Sequence, residues 1–253
     1  MSSHTGSSVG FTSEFMKSSD ETGPRSAGSE RVLVIMAKAP RPGTVKTRLG
    51  CSHSPEAIAD LYCCLLADTL ALARSLSDVE VAIMCPESDV TDLARFAGNQ
   101  ATIVAQKGEG LAAGLTSVFA HFGGRHRRRT IAFNSDSPHL PRTVLEGAFE
   151  TLALHDLVIG PTHDGGYYLV GANAVHPTLF ANDGMSTSTA FERLISRAQA
   201  LELSVAITDA SYDVDVVADL TRLSEELRLS PERAPRTAQW LERTQLRAST
   251  GKR

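Results

Sequence analysis

The sequence predicts an α/β domain built on a mixed, mostly parallel sheet with helices on both faces. Three observations predict it. Short apolar runs alternate with longer amphipathic stretches along most of the chain, the pattern of βαβ units. The first run, Val32–Met36, is apolar without interruption, as a strand covered on both faces must be. Two expected strands, 157–159 and 167–170, stand too close together for a helical crossover, so that pair is antiparallel or non-adjacent and the sheet is mixed.

The elements follow in order. After the strand at 32–36, Ser54-Pro55-Glu56 opens a helix with an N-cap, a proline at the first helical position and an acid in the first turn. Its apolar stripe runs Ile58, Leu61, Tyr62, Leu65, Leu66, Thr69, Leu70 and Ala73, a helical period. A strand is expected at 79–84, a short helix at 89–97 and a short strand at 102–105. A helix at 111–122 ends on Gly123-Gly124, before a strand at 130–133. Then come a helix at 141–154, the two close strands, a helix at 188–200, a strand at 204–207 and a helix at 217–227. A last helix surrounds Trp240.

The chain has 253 residues, the length of one large domain or two small ones. Residues 1–30 contain nine Ser and four Gly and few large apolar residues, too little to offset the entropy of ordering. They are read as a disordered extension, 31–247 as a single domain and 248–253 as a flexible tail. A net charge of −4 argues against nucleic acid as a partner. No apolar run is long enough to span a membrane, and the first thirty residues lack a secretory apolar segment. The four cysteines, Cys51, Cys63, Cys64 and Cys85, have no Cys-x-x-Cys spacing and read as reduced thiols in a cytoplasmic protein. Oligomeric state is left open.

In open α/β sheets ligands sit beyond the carboxyl ends of the strands, so the segments that follow the strands carry the candidates. After the first strand, Lys38, Arg41, Lys46 and Arg48 lie within eleven residues on a loop held by Pro40, Pro42 and Gly43. Fixed cations and backbone N–H groups suit a polyphosphate, although the loop lacks the Walker A spacing. After the strand at 130–133, Asp136 is aimed at the sheet edge, where it can hold a hard divalent cation or cap the next helix. Asp213 and Asp215 share one side of an extended segment, and Asp215 is the candidate to join Asp136 at the cation. Asp219 stabilises the following helix N-terminus. In His163-Asp164-Gly165-Gly166-Tyr167-Tyr168, the glycines permit a tight turn and a close approach to a ligand. Asp164 can serve as a base or accept from a sugar hydroxyl; the plain alternative is a turn flanked by two core tyrosines. The basic run Arg125–Arg129 reads as a solvated loop at the opposite sheet edge.

Taken together, these segments resemble a bacterial family of GT-A-like transferases related to phospholactate guanylyltransferases and, more distantly, to nucleotide-sugar pyrophosphorylases. The resemblance rests on Met36-Ala37-Lys38-Ala39-Pro40-Arg41-Pro42-Gly43 running into Val45–Leu49, on Ser135-Asp136-Ser137-Pro138, on Pro161 with Asp164–Gly171, and on Asp213-Val214-Asp215 with Asp219-Leu220. It covers roughly residues 31–222 in the right order. It implies a Rossmann-like GT-A fold with a nucleotide site in the first half. Ala37, Lys38, Arg41, Lys46, Arg48, Gln106 and Gly108 would bind nucleotide and phosphate, and Asp164, Gly165 and Gly166 the acceptor. Asp136 and Asp215 would hold Mg²⁺ or Mn²⁺, with Lys46 and Asp164 as the catalytic side chains. The chain departs from the family pattern at Asn134, Ser137, Val216–Ala218 and Leu115, the last standing near an expected Arg.

Three readings follow. The leading one is a metal-dependent glycosyltransferase that passes a sugar from a nucleotide sugar to a small-molecule acceptor. The second is a nucleotidyltransferase condensing a nucleoside triphosphate with a phosphorylated small molecule. The third, prompted by the departures, is a non-catalytic nucleotide-binding module.

Overall fold

The computed structural model describes residues 29–123, 128–180 and 184–250, with side chains to residue 244. Residues 1–28 of the extension expected over 1–30, and residues 125–127 of the Arg125–Arg129 run, lie outside the described residues; Arg128, expected in a solvated loop, is instead buried at 6% exposure and pairs with Glu80. The chain order is β1 (Arg31–Met36), α1 (Pro55–Arg74), β2 (Val79–Cys85), α2 (Val90–Ala97), β3 (Thr102–Ala105), α3 (Gly110–Phe122) and β4 (Arg129–Asn134). There follow α4 (Arg142–Thr151), β5 (Leu157–Pro161), β6 (Tyr167–Ala172), α5 (Ala190–Ala200), β7 (Val205–Ile207), α6 (Val217–Leu229) and α7 (Pro235–Thr250). The tail expected from 248 is helical as far as Thr250.

The seven strands form one sheet in the order β3-β2-β1-β4-β6-β5-β7. All neighbouring pairs are parallel except those of β6, which runs antiparallel to both β4 and β5. The short β5–β6 connection thus closes a hairpin, as its length requires. Alternation along β1 explains its unbroken apolar run. Leu33 and Ile35 pack with α1, α2 and α4 on one face, while Val32 and Val34 pack with α3 and α5 on the other.

A third apolar cluster lies beside the sheet. The outer stripe of α1 (Ile58, Leu61, Leu65) meets Leu220, Leu223 and Leu227 of α6 and Ala238, Trp240 and Leu241 of α7. The fully buried Asp68 of α1 fastens this arrangement by accepting from the backbone N–H of Thr237 at 2.8 Å and from its hydroxyl at 2.8 Å. A carboxylate at the first turn of α7 also suits the positive end of that helix. Tyr212 and Val214 insert into the same cluster. This placement decides where the intervening acids go.

His139 stacks on Tyr212 with ring centroids 4.3 Å apart, and neither of its ring nitrogens has a hydrogen-bond partner among the described residues. Burial lowers its pKa to about 4, with Arg222 and Arg233 helping and Glu226 opposing. The folded protein therefore keeps this ring neutral while the unfolded chain, titrating near 6.5, takes up a proton. Stability from this residue is present above pH 6.5 and is lost as pH falls towards 4. Between pH 7 and 5 the loss is about 2 kcal/mol. Urea midpoints at the two pH values should show that drop, and His139→Phe should remove most of it; an equal drop in both proteins would refute the neutral buried ring.

Candidate active site

The site lies where the strand order reverses. From β1 the chain moves outward to β2 and β3, then returns to place β4 on the other side of β1. The carboxyl ends of β1 and β4 therefore border a crevice at a topological switch point. A cleft of about 1030 Å³ opens there. Met36, Ala37 and Lys38 line it from β1, Ser135 and Asp136 from β4, and Met84 and Gln106 from the ends of β2 and β3.

Packing brings two distant segments together. Because Tyr212 and Val214 point into the apolar cluster, Asp213 and Asp215 project to the other side of their extended segment. The buried Ser137 hydroxyl donates to the Tyr212 carbonyl at 3.0 Å and ties that segment to the end of β4. One carboxylate oxygen from each of Asp136, Asp213 and Asp215 then lies within 4.8 Å of the others. Asp219 accepts from the backbone N–H groups of Asp215 (3.0 Å) and Val216 (2.8 Å), so it does stabilise the start of α6.

Lys46 binds this cluster from inside the cleft. Its backbone is left-handed, with φ 47° and ψ 39°, at the start of a short 3₁₀ turn over Thr47–Leu49. Its Nζ donates to Asp215 at 2.7 Å and to Asp136, and its side chain is 7% exposed. Burial alone would lower the pKa of that ammonium, but the two carboxylates outweigh burial and hold it well above the usual value. Arg48 reaches Asp215 at 3.6 Å from a largely exposed position. The Asp213 carboxyl moves the other way, up to about 7, through burial and then the adjacent charges of Asp215 and Asp136. Three carboxyl groups, that of Asp213 about half protonated near neutral pH, therefore face one buried lysine and one exposed arginine.

Most of the residues expected to bind nucleotide line the cleft: Ala37, Lys38, Lys46, Arg48, Gln106 and Gly108. Gln106 shapes its own loop, donating to the carbonyls of Gly108 (2.9 Å) and Gly110 (3.3 Å), both at positive φ. Two expectations need correction. Arg41 does not line the cleft. Its guanidinium grips Asp89 at 2.6 Å, Asp92 at 2.6 Å and the Ser88 carbonyl at 2.9 Å, which clamps the loop to the start of α2. That fork has no open edge left for a phosphate. The amides of the same loop are also engaged: Ala37 donates to the Met84 carbonyl, Lys38 to the Tyr62 hydroxyl and Ala39 to Asp89. Positive charge at this edge thus comes from the Lys38, Lys46 and Arg48 side chains and not from those three amides.

Asp164 sits on the β5–β6 turn, held near the acid cluster because His163 N–H donates to the Ser211 carbonyl. One of its oxygens accepts from the Thr162 hydroxyl and from Gly166 N–H. Burial would raise its pKa, but these donors and the charge of Arg48 outweigh burial and hold it below the ordinary carboxylate value. Gly165 and Gly166 do permit a close approach, but to the chain itself. A Cβ on Gly165, at φ 88°, would stand 1.9 Å from the Ser188 carbonyl oxygen, and one on Gly166 would stand 2.8 Å from the Thr162 hydroxyl. Ser186, on the segment that packs here, lines the cleft. Leu115 is buried in the core beneath α3 and does not face the cleft.

Sequence reasoning placed Asp213 beside Asp215 but left it out of the ligand set, although the alternation of apolar Tyr212 and Val214 was the signal that includes it. The cysteines carry no disulfide among the described residues. No helix among the described residues is long and apolar enough to cross a membrane.

Residues 69–187 match the family model DUF2064, described as an uncharacterised protein conserved in bacteria. No curated protein matches the chain significantly. Among solved structures, a provisionally assigned nucleotide-diphospho-sugar transferase from Desulfovibrio desulfuricans G20 superposes with a TM-score of 0.78. It is 27% identical, and the match covers 86% of this chain and 96% of that one. A nucleotidyl transferase from Methanothermobacter thermautotroptrophicus is 14% identical, with a TM-score of 0.55 over 79% of this chain and 99% of that one. The 4-diphosphocytidyl-2C-methyl-D-erythritol synthase of Anaerococcus prevotii DSM 20548 is 10% identical, with a TM-score of 0.51 over 79% and 97%. These last two share the fold alone. The family match and the common architecture agree on a Rossmann-like α/β fold shared with nucleotide-sugar and nucleotidyl transferases, with the DUF2064 pattern carried by residues 69–187.

Proposed function

We propose that the chain is a divalent-metal-dependent transferase acting on a nucleotide-activated donor, and that the donor is a nucleotide sugar. One observation carries the reading: Asp136 and Asp215, from two distant segments, meet at the wall of a nucleotide-sized cleft that Lys38, Lys46 and Arg48 also line, with a carboxylate oxygen of Asp213 within 4.8 Å of theirs. The likeness to the Desulfovibrio protein supports a nucleotide sugar as donor.

The residues fit a hard cation. They offer oxygen ligands only, and Asp136 and Asp215 border the space a diphosphate would fill. Asp136 and Asp215 would hold Mg²⁺ or Mn²⁺, with Asp213 beside them. When bound, the cation would neutralise charge building on the departing diphosphate. The buried Lys46 and the exposed Arg48 supply positive charge at the same place, where charge builds in the transfer. Lys38, exposed on the cleft wall, can pair with the outer phosphate. The acceptor would approach from the Asp164–Gly166 turn and Ser186, and Asp164 would take the proton of an acceptor hydroxyl.

One observation favours nucleotidyl transfer as a second reading. The Asp164 carboxylate is already held by two donors and its pKa is lowered, which weakens it as a base. A phosphate acceptor is ionised near neutral pH and needs no base. Asp164→Asn separates the two: glycosyl transfer should fall ~10²-fold or more, whereas nucleotidyl transfer should survive nearly intact. Product analysis on the purified variant reads the difference.

The reading as a whole is tested by thermal shift with a panel of nucleotide sugars and nucleoside triphosphates, with and without Mg²⁺. A ligand bound only by the folded state raises the melting temperature according to its occupancy. A shift that requires both a nucleotide sugar and Mg²⁺ is expected; no shift with any nucleotide would overturn the reading.

A further inference from the structure

One buried face of α1 touches the site in a way the proposed mechanism does not use. Tyr62 and Thr69, seven residues apart and so on one helix face, both reach Ser135 at the end of β4. Thr69 Oγ1 donates to the Ser135 carbonyl at 3.2 Å. Tyr62 Oη lies 2.9 Å from Ser135 Oγ, and it accepts from Lys38 N–H at 3.2 Å. Ser135 Oγ in turn lies 2.7 Å from Asp136 Oδ1.

The direction of these bonds follows from proton counting. A carboxylate only accepts, so the single Ser135 hydroxyl proton goes to Asp136. The Ser135 oxygen must then accept, so the Tyr62 hydroxyl donates to it. The Tyr62 oxygen accepts from the Lys38 amide, which can only donate. Every bond points the same way, from the end of β1 to one oxygen of Asp136. Tyr62 is 4% exposed, and burial, followed by the charge of Asp136, raises its pKa to about 12. Its hydroxyl remains a donor across the physiological range.

We infer that Tyr62 is a positioning residue for the proposed cation site, orienting Asp136 through Ser135 so that Oδ1 is held and Oδ2 is turned towards Lys46 Nζ, which bridges it to Asp215. The inference rests on the metal reading above. It follows from chemistry general to metal sites, in which partners behind a ligand fix its orientation and their loss weakens binding 10–100-fold. It also gives a task to the hydroxyl of the one aromatic ring in the buried stripe of α1. The hydroxyl links the two strand ends that border the cleft.

The test is Mn²⁺ binding to the full chain, followed by electron paramagnetic resonance with Mn²⁺ alone. Tyr62→Phe keeps the ring and removes only the hydroxyl, and it should weaken Mn²⁺ binding about 10-fold. Ser135→Ala should do the same, and the double variant should be no worse than either single one, because each breaks the same chain. Thr69→Val is the control for a purely structural role. It removes a bond from the same helix to the same residue but not to the carboxylate, and should leave Mn²⁺ affinity within about 2-fold. Asp136→Asn distinguishes the two levels of failure. Failure of the wild type to bind Mn²⁺, or equal binding by Asp136→Asn, overturns the metal reading and this inference with it. Binding that needs Asp136 but is unchanged in Tyr62→Phe, equally weakened in Thr69→Val, or additively lost in the double variant, overturns this inference alone.

Discussion

Asp136→Asn is expected to reduce the transfer rate about 10³-fold or more while leaving the fold intact. The substitution keeps the shape of the side chain and its ability to accept from Ser135. It removes the negative charge that faces Lys46 and the acids of the 213–215 segment. In the proposed mechanism that charge holds the cation against the diphosphate, and nothing else at the end of β4 can replace it. Turnover of whichever donor the thermal-shift panel identifies, measured at saturating Mg²⁺, reads the effect. A loss under 10-fold would mean that Asp136 is a helix cap and not a ligand.

Lys46→Met is expected to produce two effects of opposite character. Nζ is the one buried cation facing the cluster among the described residues, and it bridges Asp136 and Asp215. Its removal leaves the carboxylates facing each other with only the exposed Arg48, 3.6 Å from Asp215, to offset them. Breaking a buried pair from one side costs about 3–5 kcal/mol. Since Asp215 is 36% exposed and water screens part of the repulsion, about 2 kcal/mol is the better expectation here. Because the excess negative charge attracts cations, Mn²⁺ should restore much of that stability in the variant. The transfer rate should nevertheless fall about 10²-fold, since the positive charge at the leaving group is gone. Chemical denaturation with and without Mn²⁺, alongside the rate, tests both effects. A variant as stable as the wild type without metal would show that the ion pairs do not matter.

The fold was legible because its signals are local. The Ser54-Pro55 helix start appears as read, with the Ser54 hydroxyl accepting from Ala57 N–H. The short gap between 159 and 167 required a hairpin, and β5 and β6 form one. Strand order is not local: nothing in the spacing says that β6 inserts between β4 and β5, because that follows from which apolar faces pack together.

The site divides in the same way. Asp136 and Asp215 were legible as strand-end acids, and Asp213 as their neighbour on one side of an extended segment. Arg41 looked like Lys46 in sequence, one cation among four on a loop. Its role was decided by Asp89 and Asp92, some fifty residues away, which occupy its guanidinium. The Gly165-Gly166 pair was expected to admit a ligand; the groups that approach are the Ser188 carbonyl at Gly165 and the Thr162 hydroxyl at Gly166. Tyr62 read as one more member of an apolar stripe. Only the position of Ser135 in space gives its hydroxyl a task.

Diffraction from crystals of the full chain grown with Mn²⁺ and a nucleoside diphosphate tests the central claim most directly, through the anomalous signal of the metal. The account predicts one strong peak bonded at about 2.1 Å to Asp136 and Asp215, beside Asp213 and against the phosphates. A diphosphate bound in the cleft with no metal at these aspartates, or a metal held elsewhere while Lys46 still bridges Asp136 and Asp215, would contradict it.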